Sequence, residues 1–216
     1  MPHSWFYPTT LMQEKVARMA PMSVLDIGVG YGKWGFLLRE QLDWNPAGRL
    51  KKEDWEARIV GVEVFAYESP LHDWVYDEVI RADVLEIVDS LEGYDLIVMS
   101  DVIEHIEKQQ ALDLLRRLLR NNRNILISTP FAFFTQEVEE NEHEDHVSHW
   151  TLADFAEFTF DYDVVAGAAV VVTLAGKGAT WPTARDSSAS RRVYTLPLLG
   201  KRSTLARMAK QALVRL

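Results

Sequence analysis

Short apolar segments rich in β-branched residues alternate along this chain with segments in which apolar residues recur at helical spacing. The first pattern predicts buried strands, and the second predicts helices that pack against them. Strands are predicted at residues 23–27, 58–64, 78–81, 96–100 and 125–129, and helices at 10–19, 34–41, 84–91 and 109–120. This alternation is typical of a parallel sheet that is covered by helices on both faces.

The pattern changes towards the end of the chain. Residues 162–166 and 169–174 are two more strand patterns, separated by a few small residues that include Gly167. Such close spacing predicts a hairpin, so the sheet should end in an antiparallel pair. We therefore expect an α/β, Rossmann-like fold with a doubly wound seven-stranded sheet over residues 1–176. Residues 177–216 are predicted to form a linker and a basic amphipathic C-terminal helix.

The composition is that of an ordinary folded domain. The chain has 216 residues, of which 48% are hydrophobic and 25% are charged, and this excludes disordered and collagen-like chains. Because cysteine is absent, any metal ion would need His, Asp or Glu ligands. No apolar run is long enough to cross a bilayer, and the first residues lack a secretory signal. We expect a cytoplasmic protein.

Charge is distributed unevenly. The net charge is −9, yet residues 181–216 contain eight basic residues and one acidic residue, so they carry +7 and the preceding 180 residues carry −16. Nucleic-acid binding depends on clustered Lys and Arg, so the acidic body argues against a nucleic-acid partner, and only the tail could supply such a cluster. The basic tail has several interpretations: packing on the domain, a homodimer contact, another partner or peripheral contact with a membrane.

Glycines alternate directly after the first predicted strand, at Gly28, Gly30 and Gly32, with Asp26 before them. A turn of this kind lets a ligand approach the backbone closely at the carboxyl end of a strand. The spacing differs from the G-x-G-x-x-G dinucleotide fingerprint, and no G-K-[ST] follows, so a phosphate-binding P-loop is also excluded.

The segment from Asp26 to Gly32 resembles motif I of class I S-adenosylmethionine-dependent methyltransferases, [DE]-x-G-x-G-x-G. The resemblance extends over about residues 20–175 and implies that Glu63, at the end of the second strand, binds the ribose hydroxyls. It implies that Asp83 lies near the adenine amino group. The distance from Asp26 to Glu63 is longer than usual, and residues 43–56 are interpreted as an inserted loop. The implied cofactor-binding residues are Asp26, Gly28, Gly30, Gly32, Glu63, Asp83, Val84 and Ser100.

The fourth strand is followed by Asp101, Glu104 and His105 in the spacing D-x-x-E-H. On a helical turn these positions share a face. The spacing resembles the divalent-metal site of ubiquinone-biosynthesis and small-RNA O-methyltransferases, which implies Mg or Mn as a cofactor. The small-RNA enzymes add a later histidine, for which His146 is the candidate. The alternative is that Glu104 and His105 only fix loops, as in methyltransferases that bind no metal.

Histidines in the acidic loop after the fifth strand are candidates for proton transfer. His146 is the first candidate for the catalytic base, and His149 is the second. Two interpretations are open for the aromatic residues Trp5, Phe6, Tyr7 and Trp34, namely a lid over the site or simple packing.

These patterns lead to an expected function, which is O-methylation of a saccharide or another small molecule. Saccharides are favoured because a metal site can grip neighbouring hydroxyls, and the chain is similar in size to O-methyltransferases of cell-envelope and storage glycans, including methylmannose polysaccharides. Two alternatives are a metal-independent N-methyltransferase of an amino sugar or small amine, and a methyltransferase-like subunit without catalysis that binds a partner.

Overall fold

The computed structural model describes residues 5–132, 135–136, 138–139, 141–165 and 169–179. A seven-stranded sheet in the order β3-β2-β1-β4-β5-β7-β6 forms its centre. The first five strands are parallel, while β7 runs antiparallel to both β5 and β6. The strands are β1 (Ser23–Ile27), β2 (Arg58–Glu63), β3 (Glu78–Arg81), β4 (Leu96–Ser100), β5 (Asn124–Pro130), β6 (Phe160–Val165) and β7 (Ala169–Ala175). The predicted fold class is confirmed.

Helices cover both faces of this sheet. They are α1 (Thr9–Met19), α2 (Lys33–Arg39), α3 (Asn45–Ala47), α4 (Pro70–Val75), α5 (Val84–Ile87) and α6 (Lys108–Asn121). One buried cluster joins the sheet to α1, α2 and α4, and a second joins it to α5 and α6. Apolar residues on alternate positions of β1 therefore enter different clusters, as expected for a strand that is buried on both sides.

The strand predictions agree with the structure to within about two residues, but two helical features were wrong or missed. Helix α4 was not predicted, although Ser69 and Pro70 are typical of a helix start; the Ser69 hydroxyl accepts the Leu71 N–H at 3.2 Å. The segment interpreted as an inserted loop is largely helical. A π-helix over Glu40–Trp44 continues α2, and a 3-10 helix covers Lys52–Asp54.

The topology places the site. Adjacent strands β1 and β4 lead into connections on opposite sides, and ligands of open α/β sheets bind at the carboxyl ends of such strands. In the part of the chain that the structure describes, no helix combines the length and the apolar character that crossing a membrane requires. The predicted basic C-terminal helix and the Gly167 turn lie outside the described residues.

Candidate functional site

A pocket of about 380 Å³ opens at the carboxyl ends of the central strands. The glycine turn, the ends of β2 and β4, and the loop that contains His143 and His146 contribute to its wall. Most of the predicted site residues line it: Gly28, Gly30, Glu63, Asp83, Val84, Ser100, Asp101, Glu104, His105 and His146. The predicted residues Asp26, Gly32 and His149 are not among its lining residues.

The glycine turn has backbone angles that explain its composition. Gly28, Gly30 and Gly32 have φ values of 81°, 52° and 92°, in the left-handed region that other residues avoid. A Cβ atom on Gly28 would lie 2.6 Å from Val102 Cγ2. The turn therefore packs against the segment that follows β4 and leaves its own backbone facing the pocket.

His72, which was not predicted as a site residue, holds this turn. Its Nε2 lies 2.8 Å from the Gly30 carbonyl oxygen, and its Nδ1 lies 2.8 Å from Arg81 Nη2. A guanidinium group only donates, so Nδ1 accepts and Nε2 carries the proton that it donates to Gly30. The His72 side chain, which belongs to α4, thus fixes the glycine turn through one buried hydrogen bond to Gly30.

Asp26 lies beneath the turn rather than in the pocket. Its Oδ2 accepts a 2.5 Å hydrogen bond from the Tyr76 hydroxyl, and its Oδ1 is buried without a hydrogen-bond partner. Burial raises the pKa of the Asp26 carboxyl to about 7, with repulsion from Glu63 adding to the shift and the Tyr76 hydroxyl opposing it. Asp26 therefore supports the turn from below through its hydrogen bond with Tyr76.

Glu63 and Asp83 reach the pocket from β2 and from the start of α5. The Glu63 carboxylate accepts the Gly30 N–H at 2.7 Å and the Phe65 N–H at 2.9 Å, so it is fixed at the wall. Asp83 caps α5, since its Oδ1 accepts the Leu85 N–H at 2.8 Å. Each carboxylate oxygen can accept more than one hydrogen bond, so these contacts are compatible with hydroxyl or amine binding.

Asp101, a predicted metal ligand, lies outside the group of possible ligands that the structure brings together. Its backbone φ is 55°, and its carboxylate accepts the Trp5 N–H at 2.6 Å and the Ser128 hydroxyl at 3.1 Å. Burial raises the pKa of Asp101, while these donors and the nearby Lys33 oppose the shift. A left-handed residue at this point turns the side chain away from the helical face that the D-x-x-E-H spacing assumes.

Three other predicted ligands do come together. Glu104, His105 and His146 each offer a ligand atom, and these atoms lie within 4.8 Å of one another. Among the residues that the structure describes, this is the group found whose ligand atoms are close enough to share a metal ion, and Asp101 does not belong to it. The loop carries His146 to Glu104 because the Val147 and Ser148 N–H groups donate to the Glu104 carbonyl oxygen at 2.9 Å and 3.0 Å.

The Glu104 carboxyl is the buried member of this group. It is 2% exposed, its Oε2 accepts the Thr129 hydroxyl at 3.1 Å, and its Oε1 is buried without a hydrogen-bond partner. Burial raises the pKa of Glu104 well above its ordinary value, and repulsion from Asp101 adds to this. A buried carboxyl oxygen without a hydrogen-bond partner costs free energy, and binding a proton or a cation would remove this cost.

The histidines differ in position. His105 Nδ1 lies 3.0 Å from the Asp145 carbonyl oxygen; because a carbonyl only accepts, a neutral His105 carries its proton on Nδ1 and keeps the Nε2 lone pair. The ring of His146 lies edge-on to that of His105 at 5.0 Å. His149 is exposed, and its carbonyl oxygen accepts a hydrogen bond from Lys108 Nζ.

Further pocket residues had no predicted role. Tyr67 donates to Glu144 Oε1 at 2.9 Å and accepts from Asn141 Nδ2 at 2.6 Å, which ties the histidine loop to the segment after β2. Burial, followed by the Glu144 contact, raises the Tyr67 pKa, so the hydroxyl keeps its proton. Lys33 also lines the pocket, as does Trp5, for which the sequence left open a lid over the site or simple packing. The position of Lys33 directly after the glycine turn was the signal in the sequence that could have identified it as a pocket residue.

Comparison with protein-family models matches residues 6–162 to the model described as "Methyltransferase domain". No match is found among curated protein sequences.

Solved structures share this fold at low sequence identity. A protein from Nostoc punctiforme PCC 73102 assigned as an O-methyltransferase has a TM-score of 0.56 and 17% identity, over 78% of this chain and 55% of that protein. The N-terminal domain of EvdMO1, solved with SAH and D-fucose, has a TM-score of 0.54 and 14% identity, over 81% and 84%. The methyltransferase domain of bacterial CtHen1-C has a TM-score of 0.53 and 16% identity, over 78% and 96%. This chain thus spans about half the length of the Nostoc protein.

Proposed function

The chain belongs to the methyltransferase domain family, and from that premise we propose that it transfers a methyl group from S-adenosylmethionine to a hydroxyl of a saccharide or another small molecule. The observation that carries the choice of a hydroxyl is the cluster of Glu104, His105 and His146 at the pocket. A neutral hydroxyl is a poor nucleophile, and a divalent cation or a base must help to remove its proton. This cluster offers the ligands or the base that such a reaction needs.

Cofactor binding is assigned to the side of the pocket formed by β1, β2 and α5. Gly28 and Gly30 provide backbone that a ligand can approach without meeting a side chain. Glu63 is proposed to bind the ribose hydroxyls, and Asp83, with Val84, the adenine. The position of Glu63 is supported by its two backbone hydrogen bonds, which hold the carboxylate at the wall in a fixed orientation.

The donor set of the cluster fits a divalent cation. Glu104 brings a buried oxygen without a partner, and the two imidazoles bring nitrogen ligands. One carboxylate with two imidazoles favours Mn²⁺ over Mg²⁺, because Mg²⁺ prefers oxygen ligands alone. A cation held there would act as a Lewis acid that lowers the pKa of the acceptor hydroxyl and orients it. The charge of the ion would favour the ionised form of Glu104, because it offsets the cost of burying the carboxylate.

Methyl transfer is an in-line displacement. The acceptor oxygen forms a bond to the methyl carbon while the bond from that carbon to the sulfonium sulfur breaks, and the hydroxyl proton passes to a base or to solvent. The contribution of this chain is alignment: the carbonyl of Asp145 orients His105, and the backbone of Glu104 anchors the loop that carries His146. Alignment of this kind accounts for a large share of the rate enhancement in such reactions.

A specific observation favours a second candidate, which is methylation of an amine without a metal. The Asp101 carboxylate accepts hydrogen bonds from the Trp5 N–H and the Ser128 hydroxyl. It does not join the cluster, which therefore has one ligand fewer than the D-x-x-E-H spacing implied. An amine that has lost its proton is already a nucleophile, and His146 alone would then serve as the base. In this case loss of Glu104 would leave turnover largely intact.

Methyl transfer from labelled S-adenosylmethionine to panels of saccharides and amines distinguishes the two candidates. The proteins compared are the wild type, Glu104→Gln and the control Glu142→Gln, which changes an exposed acid of the loop that contains His143 and His146. The hydroxyl proposal expects labelled saccharide, loss of label after chelation, recovery with Mn²⁺ and loss of turnover in Glu104→Gln by about 10²-fold or more.

Two results would contradict the hydroxyl proposal. Labelled amine that persists after chelation and in Glu104→Gln would support the N-methyltransferase. Absence of transfer to either panel, in protein that also fails to bind S-adenosylhomocysteine, would contradict cofactor use itself.

A further inference from the structure

The main chain of Trp5 lies at the pocket between two side chains of opposite charge. Its N–H donates to Asp101 Oδ2 at 2.6 Å, and its carbonyl oxygen accepts from Lys33 Nζ at 3.4 Å. All three residues line the pocket. The main chain of this one residue therefore contacts a carboxylate through its N–H group and an ammonium through its carbonyl oxygen.

The Trp5 atoms that make these contacts belong to the N–Cα–C=O unit that every α-amino acid shares. In a free amino acid the nitrogen is an ammonium and the carbonyl is part of a carboxylate. Both ends would then be charged, and hydrogen bonds between charged groups are about twice as strong as those of neutral groups. The contacts of Trp5 thus outline a subsite for a zwitterion of the same dimensions.

We propose that Lys33 and Asp101 bind the α-amino acid end of S-adenosylmethionine, with Lys33 on the carboxylate and Asp101 on the ammonium, and that the Trp5 main chain holds this subsite until the cofactor displaces it. The inference rests on the proposed use of S-adenosylmethionine as methyl donor. It assigns Asp101 to the cofactor, which agrees with its position outside the cluster of Glu104, His105 and His146.

The scaffold fixes both charged groups. Asp101 has a φ of 55°, a conformation that costs free energy in a residue other than glycine and is concentrated at functional sites. Its other carboxylate oxygen accepts the Ser128 hydroxyl at 3.1 Å. Lys33 begins α2 directly after the glycine turn, and its ammonium also donates to the Thr9 hydroxyl at 3.1 Å. The pair lies at the adjacent ends of β1 and β4, where the sheet brings its two halves together.

The signs of the two charges set the orientation of the ligand. The reverse orientation would bring the ammonium to Lys33 and the carboxylate to Asp101, and both contacts would be repulsive. Displacement of Trp5 has a cost, because only the fraction of molecules with an open subsite can bind. The affinity measured for the cofactor should therefore be lower than the intrinsic affinity of the subsite.

Calorimetry with two ligands tests this assignment. S-Adenosylhomocysteine carries the α-amino acid end, and 5′-methylthioadenosine has the same adenosine and thioether sulfur without it. In Lys33→Met and Asp101→Asn, we expect the affinity for S-adenosylhomocysteine to fall about tenfold or more. The affinity for 5′-methylthioadenosine should change less than about twofold, and its retention also demonstrates that each variant is folded.

Matched controls remove the same charges elsewhere on the molecule. Lys51→Met and Asp113→Asn change exposed residues outside the pocket, and both should leave the two affinities as in the wild type. Trp5→Pro removes the N–H that contacts Asp101, whereas Trp5→Ala keeps it. We expect Trp5→Pro to bind S-adenosylhomocysteine more tightly than Trp5→Ala, because the competing contact is lost.

The possible failures are distinguishable. If the wild type binds neither ligand, the proposed cofactor use fails. If it binds both ligands equally well, or if Lys33→Met and Asp101→Asn weaken both ligands to the same extent, cofactor use stands and the subsite is overturned. If Trp5→Pro binds S-adenosylhomocysteine more weakly than Trp5→Ala, Trp5 covers the cofactor, and its displacement is overturned.

Discussion

The Tyr76 hydroxyl donates a 2.5 Å hydrogen bond to Asp26 Oδ2 beneath the glycine turn. The same hydroxyl accepts the Gly35 N–H at 2.9 Å, so Tyr76 connects β1 to the first turns of α2. The carboxyl of Asp26 is 1% exposed, and the largest cause of its raised pKa, about 7, is burial. Asp26 is thus a polar support of the glycine turn, and its carboxyl is neutral over part of the usual pH range.

The raised pKa of Asp26 predicts a specific pH dependence of stability. Between about pH 4 and pH 7 the folded state holds a proton that the unfolded chain has released, so the free energy of unfolding should fall as the pH rises through this range. For a pKa shift of this size, Asp26 alone should lower the free energy of unfolding by up to about 4 kcal/mol across this pH range. Asp26→Asn is neutral throughout and should lose this part of the dependence, as measured by urea unfolding at pH 4 and pH 8.

Other buried carboxyls, including Glu104, have pKa values shifted in the same direction, so the informative quantity is the difference between wild type and Asp26→Asn. The prediction fails if this difference in the free energy of unfolding is the same at both pH values.

Gly28→Ala should reduce both stability and cofactor affinity. The new methyl group would meet Val102 Cγ2 at 2.6 Å on a backbone with a φ of 81°, and each of these carries a cost. We expect a loss of about 1–3 kcal/mol in the free energy of unfolding. Adding Val102→Ala relieves the contact but leaves the backbone strain, so recovery should be partial.

Gly48→Ala is a control for this prediction, since Gly48 has a φ of 67° and nothing lies within 4 Å of its added Cβ. The loss of stability in Gly48→Ala therefore measures the cost of the left-handed backbone alone. A Gly28→Ala protein that is no less stable than Gly48→Ala would contradict the packing argument.

His146 and His149 were both predicted from the sequence as candidate bases, and the structure separates them. His146 lines the pocket beside Glu104, whereas His149 is exposed outside its lining. We expect His146→Ala to lower kcat by about 10²-fold or more and His149→Ala by less than about twofold, on the acceptor found by the labelling screen. The opposite order would return the role of base to His149.

A buried ion pair should anchor the start of the helical insertion. Arg39 Nη1 lies 2.6 Å from Asp43 Oδ2, and both side chains are fully buried. Removing Asp43 leaves the buried Arg39 guanidinium with the more distant Asp77 carboxylate, 3.3 Å from Nη2, as an ion-pair partner. Asp43→Ala should therefore cost up to about 3 kcal/mol in thermal or urea unfolding. Glu56→Ala, which removes an exposed partner of Arg49, should cost less than about 1 kcal/mol; equal costs would contradict this account.

The regular part of the fold could be predicted from the sequence because strands buried on both faces leave a continuous apolar signal. The same reasoning identified the glycine turn, and the assignment as a methyltransferase is confirmed by the family match. Helix α4 was missed because its six residues are too short for a helical period to be recognised, although Ser69 and Pro70 were a usable start signal.

Side-chain directions in the loops could not be predicted. The grouping of Asp101 with Glu104 and His105 assumed a helical turn, but Asp101 is left-handed and only residues Ile103–His105 form a 3-10 turn. The partnership of Trp5 with Lys33 and Asp101 joins residues up to 96 positions apart. No local pattern encodes such a contact, which depends on how α1 docks against the sheet.

The central claim is that the pocket at the carboxyl ends of β1 and β4 binds the methyl donor beside a cation site. Calorimetric titration of chelated protein with S-adenosylhomocysteine, repeated with Mn²⁺ added before and after the ligand, tests it most directly. The account predicts binding of S-adenosylhomocysteine near the micromolar range, about −8 kcal/mol, and a separate Mn²⁺ binding event that Glu104→Gln abolishes. The absence of heat and of any shift in Tm with S-adenosylhomocysteine would contradict it.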